Sequence, residues 1–124
     1  MINISKAIYY LLANSSVTGY TGTRIYPIVM PENTPFPMVV YERRTNPEYS
    51  KDDAVLKLTT GIITVISDDY TESINLANAV NTALENYNGV VSGIDVKDIM
   101  LDSVDEIFAN GAYMQKLVYN ILSV

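Results

Sequence analysis

Three groups of carboxylates have the residue type and spacing that could do chemistry: Asp52 with Asp53, Asp68 with Asp69, and Asp102, Asp105 and Glu106. Clustered carboxylates can hold a hard cation or divide acid and base roles between them. None of the three has the spacing of a calcium-binding loop, which alternates oxygen ligands around a central glycine and ends on a glutamate. Asp68 and Asp69 precede an apolar-periodic run, where negative charge suits the start of a helix. Asp52 and Asp53 lie in a polar stretch and read as solvated. With no motif around them, all three groups read as caps and surface charges before they read as metal ligands.

Other catalytic chemistry is scarce. The chain has no cysteine and no histidine. That excludes disulfides, thiolate nucleophiles, Cys/His zinc sites and histidine-based triads. The stretch "TGYTGT" (Thr18 to Thr23) has two glycines but no following lysine, so it fails the phosphate-loop pattern. Ser15, Ser16 and Ser103 have no nucleophile-elbow context. The expectation is a protein without catalytic residues, metal or cofactor.

The candidate contact residues are Arg43, Arg44, Tyr49, Lys51, Asp52 and Asp53, a basic pair followed by a polar stretch. Paired arginines at a strand end commonly make surface ion pairs of little energetic weight. In an acidic protein they can instead meet the acidic patch of a neighbouring copy and orient it. The net charge is −6 and the pI about 4.4. Such a surface repels nucleic-acid phosphates, and it suits a wall that DNA passes without sticking. Ten tyrosines and no tryptophan are half-buried strand residues on the simpler reading and interface residues on the other.

The elements that would position these residues follow from periodicity. The 124 residues, 48% of them hydrophobic, fit one globular domain covering 1–124. No apolar run is long enough to span a bilayer, and the N-terminal stretch lacks the basic start and continuous apolar segment of a signal peptide. Ile4, Ala7, Ile8, Leu11 and Leu12 make one helical stripe, with Asn3 as its cap. Val17 to Thr23 reads as a loop. Arg24 to Val29 is a short extended piece broken by Pro27, and Pro31, Pro35 and Pro37 stiffen the approach to a strand from Met38 to Arg44. "TNPEYSKDDA" (Thr45 to Ala54) reads as a long polar hairpin loop. Val55 to Ser67 is a β-branched strand, with Gly61 suggesting a bulge or bend.

Asp69 and Glu72 have capping-box spacing before a second helix, whose apolar face is Leu76, Ala77, Val80, Ala83, Leu84 and Tyr87. Gly89 stands where a left-handed helix end would sit. "VVSGIDVKDIMLDSVDEIF" is broken by Gly93 and then alternates loosely, and "ANG" (Ala109 to Gly111) is a hairpin signal. In the last stretch Met114, Leu117, Val118, Ile121 and Leu122 fit a helix, while Leu117, Tyr119 and Ile121 also alternate as a strand does. The order helix-strand-strand-strand-helix-strand-strand gives an α+β domain: a mostly antiparallel sheet of four to five strands packed with two helices.

"RIYPIVMPENTPFPMVVYE" (Arg24 to Glu42) resembles the tail completion, or tail terminator, family of long-tailed bacteriophages. "GIITVISDDYTESINLANAVNTAL" (Gly61 to Leu84) is similar to that family's strand-then-helix segment, and "GAYMQKLVYNILSV" to its closing strand. The resemblance covers nearly the whole chain, through short motifs in a fixed order. Gln115, Lys116 and Asn120 depart from the regular alternation of the closing strand. The resemblance implies a structural virion protein at the tail–head junction, assembled in the host cytoplasm. Its copies would form a hexameric ring on the head-proximal end of the tail tube, end tube polymerisation and help join tail to head. The implied partners are further copies of itself, the tail tube protein and head–tail connector proteins. DNA would pass through the lumen without specific binding, and no membrane is involved. The rival readings are another head–tail adaptor or neck protein, a small carboxylate- and metal-dependent enzyme, and a small-ligand domain with a tyrosine-lined pocket.

Overall fold

The computed structural model describes residues 2–44 and 57–124. The stretch 45–56, which holds Tyr49, Lys51, Asp52 and Asp53, the whole of the expected hairpin loop and the first two residues of the expected third strand, lies outside the described residues. The elements run in the order α1 (Ile4–Leu12), α2 (Ser15–Thr21), β1 (Ile25–Pro27), β2 (Met38–Arg44), β3 (Lys57–Ser67), α3 (Tyr70–Leu84), β4 (Gly89–Val91), β5 (Ile94–Ala109) and β6 (Ala112–Ser123). The α+β class stands. Among the described residues the expected two helices are three, and the expected four to five strands are six in one sheet of order β1-β2-β3-β6-β5-β4. All pairings are antiparallel except β1 with β2.

The two additions are short, which explains why they escape periodicity. The helix α2 replaces the expected Val17–Thr23 loop. It has one buried apolar side chain, Val17, and starts where Asn14 Oδ1 accepts from the Ser16 N–H over 3.0 Å. Asn14 therefore caps a new helix as well as ending the old one. The strand β4 has three residues and turns into β5 through Ser92 and Gly93, both in the left-handed region. Asn110 and Gly111 make the same kind of turn between β5 and β6, as the sequence indicates.

One sheet face carries all three helices. Ile4, Ala7, Ile8 and Leu12 of α1 and Leu76, Ala77, Val80 and Leu84 of α3 pack on Val39, Ile63, Val65, Leu117, Tyr119 and Ile121. Each buried valine, leucine or isoleucine among them stabilises the fold by roughly 1.5–3 kcal/mol relative to exposure. A smaller cluster of Met38, Ile66 and Ala112, with Tyr26, Val40 and Met114 beside it, lies apart from this core. Met38, Ile66 and Met114 are matched in register across β2, β3 and β6, one residue out of phase with the core positions. Both faces of β6 thus carry apolar residues. That resolves the ambiguous last stretch: it is a strand, and its helix-like spacing arises from two half-buried faces read together.

Several local expectations are corrected. Asn3 stands at the start of α1 but makes no side-chain cap, and neither does Asp69 at the start of α3. The Ser67 hydroxyl acts instead: it donates to Glu72 Oε1 over 2.8 Å and accepts from the Asp69 N–H over 3.1 Å. The left-handed residue after α3 is Asn86 (φ 64°), not Gly89, and Tyr87 packs on the core from beyond the helix end. Gly61 pairs in register with Arg43 and Tyr119 and makes no bulge. A Cβ there would stand 3.0 Å from Ile121 Cδ1 and 3.4 Å from Ile8 Cδ1, so glycine lets α1 approach the sheet closely. The register shifts fall in β5, between Val96 and Asp98 and between Leu101 and Ser103.

Candidate functional site

The strand order puts the arginines and the Asp102, Asp105 and Glu106 group toward opposite edges of one sheet. Arg24, Arg43 and Arg44 are all the arginines of the chain. They lie at the β1–β2 edge: Arg24 immediately before β1, the other two at the end of β2. The Arg24 Nε donates to the Pro37 carbonyl over 2.9 Å and its Nη2 to the Tyr20 carbonyl over 3.4 Å, which fixes the crossing between α2, β1 and β2. Arg44 is exposed, and Arg43 is half-buried. A cleft of about 360 Å³ opens beside them, lined by Ser5, Pro27, Ile28, Tyr41, Glu42 and Arg43. Pro27 ends β1, as a residue without an N–H should.

Ile28 at this cleft is unusual. Its φ is +68°, a conformation that a β-branched residue adopts only under constraint. Its N–H donates to the Tyr41 carbonyl over 2.8 Å, which holds the kink, and its side chain is 70% exposed. Val29 and Met30 follow, also exposed. A left-handed backbone thus presents the Ile28 side chain to solvent at a cleft that Arg43 also lines.

At the other edge, β4 pairs with β5 only over Ile94–Val96. From Asp98 to Ala109, β5 has β6 on one side and no strand on the other among the described residues. Asp102, Asp105 and Glu106 lie on this open stretch together with exposed Val104, Ile107 and Phe108. Between Asp98 and Gln115 the sequence has four carboxylates and no cationic side chain.

The tip of the β5–β6 hairpin is braced by aromatics. Tyr113 packs against Tyr70 and Phe108, with ring centroids 5.4 and 4.8 Å apart. Glu106 Oε1 accepts from the Tyr70 hydroxyl over 2.8 Å and from Gln115 Nε2 over 3.2 Å. The Tyr70 phenol is raised above its ordinary value because ionisation would lose the bond to Glu106 and set two anions side by side. A second cleft of about 200 Å³ is formed by these residues with Ile107 and Met114.

These arrangements sort the candidates. Arg43 and Arg44 belong to one edge. Asp102, Asp105 and Glu106, weighed as metal ligands and read as surface charges, belong to the other. Asp68 and Asp69 are exposed at the start of α3. Among the described residues no group of three or more acidic side chains could hold a metal ion. The salt bridge Lys97–Asp95, 2.9 Å long, is solvent-exposed and of small weight. No helix among the described residues is long and apolar enough to cross a membrane. The tyrosines divide: Tyr119 is buried, Tyr26, Tyr41, Tyr87 and Tyr113 are half-buried, and Tyr9, Tyr10, Tyr20 and Tyr70 are exposed.

Comparison with solved structures gives the architecture a relative. The fold is that of a chain from the "Virion of native gene transfer agent (GTA) particle", with a TM-score of 0.74 and 20% identity over 94% of this chain and 90% of that one. The fold is shared with a virion component. No protein-family profile matches the chain, and no curated protein does.

Proposed function

We propose that this chain is a structural virion protein of a phage-like particle. It assembles with copies of itself into a ring at the head-proximal end of the tail tube, ends tube polymerisation and helps join tail to head. The observation that carries the reading is the likeness, over nearly the full length of both chains, to a chain of a gene transfer agent virion. The resemblance of the Arg24–Glu42, Gly61–Leu84 and Gly111–Val124 stretches to tail terminators supplies the position within the particle.

The physical properties support the same reading. An open, apolar sheet edge is a liability in a monomer and an asset in an assembly. Unlike edges joined head to tail generate a ring when the rotation closes. The net charge of −6 suits a ring through which DNA phosphates pass without being held. The role is architectural and non-enzymatic.

Sizing by light scattering across concentration, alone and with tail tube protein, tests it. The expected result is a ring-sized species, favoured by tube protein. A strict monomer under both conditions contradicts it. Retention by portal-side proteins with no retention by tube protein moves the chain to the adaptor side of the joint.

A further inference from the structure

We propose that the open β5 edge of one copy docks on the β1–β2 edge of the next, so that unlike edges of the same sheet join. This rests on the self-assembly reading above and names the surfaces that carry it.

The β5 edge is built to accept a neighbour. Edge strands are ordinarily guarded by bulges, prolines, short length or cover. Both register shifts of β5 lie before Val104, and no proline occurs between Asp98 and Ala109. The last six residues of the strand therefore run regularly beside β6. Phe108 is 63% exposed, and Val104 and Ile107 are about half exposed. An exposed edge of this length with apolar side chains is the kind of template to which another chain adds.

Charge selects the partner. Asp98, Asp102, Asp105 and Glu106 all lie on this edge stretch with no cation between them in the strand, and of the β6 residues opposite it only Lys116, across from Asp105, is cationic. Two such edges facing each other would oppose like charges, which disfavours a two-fold dimer through β5. The same chain offers a complementary surface. Arg43 and Arg44 end β2, and the adjoining cleft presents Pro27, Ile28 and Tyr41. The β5 edge carries a surplus of carboxylates beside its apolar side chains, and the β1–β2 edge, with Arg24, Arg43 and Arg44 against the single carboxylate Glu42, a surplus of positive charge. Joining them is heterologous, so the contact repeats until it closes.

Charge reversal in the full chain tests this. The double variant Asp102→Lys/Asp105→Lys changes exposed side chains, and its fold is checked by far-UV circular dichroism and thermal midpoint. We expect it to weaken self-assembly by at least about tenfold in light scattering, as the single variant Arg44→Glu does. Combining all three substitutions in one chain restores assembly. If the folded double variant assembles like the wild type, or if its loss is not restored by Arg44→Glu, the edge pairing is overturned while the ring reading stands. If the wild type stays monomeric at every concentration and with tube protein, both are overturned.

Discussion

The Tyr119 hydroxyl donates to Asn81 Oδ1 over 2.9 Å, joining the central strand β6 to the polar side of α3. Asn81 Nδ2 in turn donates to Glu85 Oε2 over 2.6 Å. Tyr119 is fully buried, so its ring belongs to the core and its one polar atom is satisfied by a helix residue. Burial raises its phenol well above the ordinary tyrosine value, and the Glu85 carboxylate adds to the effect.

The stability consequence has a definite sign. The folded chain holds the Tyr119 proton more tightly than the unfolded chain does. Its contribution is complete below the unfolded value of about 10 and is lost as pH rises above it. Tyr119→Phe should cost about 1 kcal/mol at neutral pH through the lost hydrogen bond. The variant's stability should then fall less steeply than the wild type's above pH of about 10. Chemical denaturation at a series of alkaline pH values reads the difference, and parallel curves would count against it.

Ser67 and Asp69 should exchange the roles that their spacing suggests. Ser67 is buried and bonds both Glu72 and the Asp69 N–H, whereas the Asp69 side chain makes no cap. Ser67→Ala is expected to destabilise by about 1–2 kcal/mol. Asp69→Ala is expected to stay within about 0.5 kcal/mol of the wild type. Equilibrium unfolding of the two variants side by side decides it.

Gly61 should tolerate one carbon and not three. The nearest atoms to its absent Cβ are the flexible ends of Ile121 and Ile8, which can give by a few tenths of an ångström. Gly61→Ala should be nearly neutral, because the crowding is offset by the poorer strand character of glycine. Gly61→Val should cost about 1–3 kcal/mol through overpacking between α1 and the sheet. Thermal and denaturant midpoints are the measurement.

Ile28 should be a position where stability and assembly pull apart. Its left-handed backbone is unfavourable for a β-branched residue and tolerated by asparagine. Ile28→Asn should raise the stability of the isolated chain by about 1 kcal/mol. It should also weaken self-association, because the replaced side chain lines the cleft that Arg43 also lines. Denaturation and light scattering on the same sample should move in opposite directions.

Much of this architecture can be read from the chain. The α1 stripe, the β3 strand, the α3 face and the Asn110–Gly111 turn follow from period and turn chemistry, because each has one buried face or a diagnostic dipeptide. The helix α2 cannot be read in this way: Val17 is its one buried apolar side chain, and Gly19 and Thr21 are poor helix formers. Its signal is the cap at Asn14, which looks the same as a helix end. The candidate site is legible only in halves. Arg43 and Arg44 stand out in the sequence, and so do Asp102, Asp105 and Glu106. That these groups occupy opposite edges follows from β6 inserting between β3 and β5, a long-range pairing that no local pattern encodes.

The most direct test of the proposed tail-terminating role is electron microscopy of particles produced from the genome encoding this chain, with the gene intact and deleted. The expected result of deletion is overlong tails of irregular length and heads without attached tails, both corrected by supplying the protein. Tails of normal, uniform length joined to heads in its absence would contradict the role.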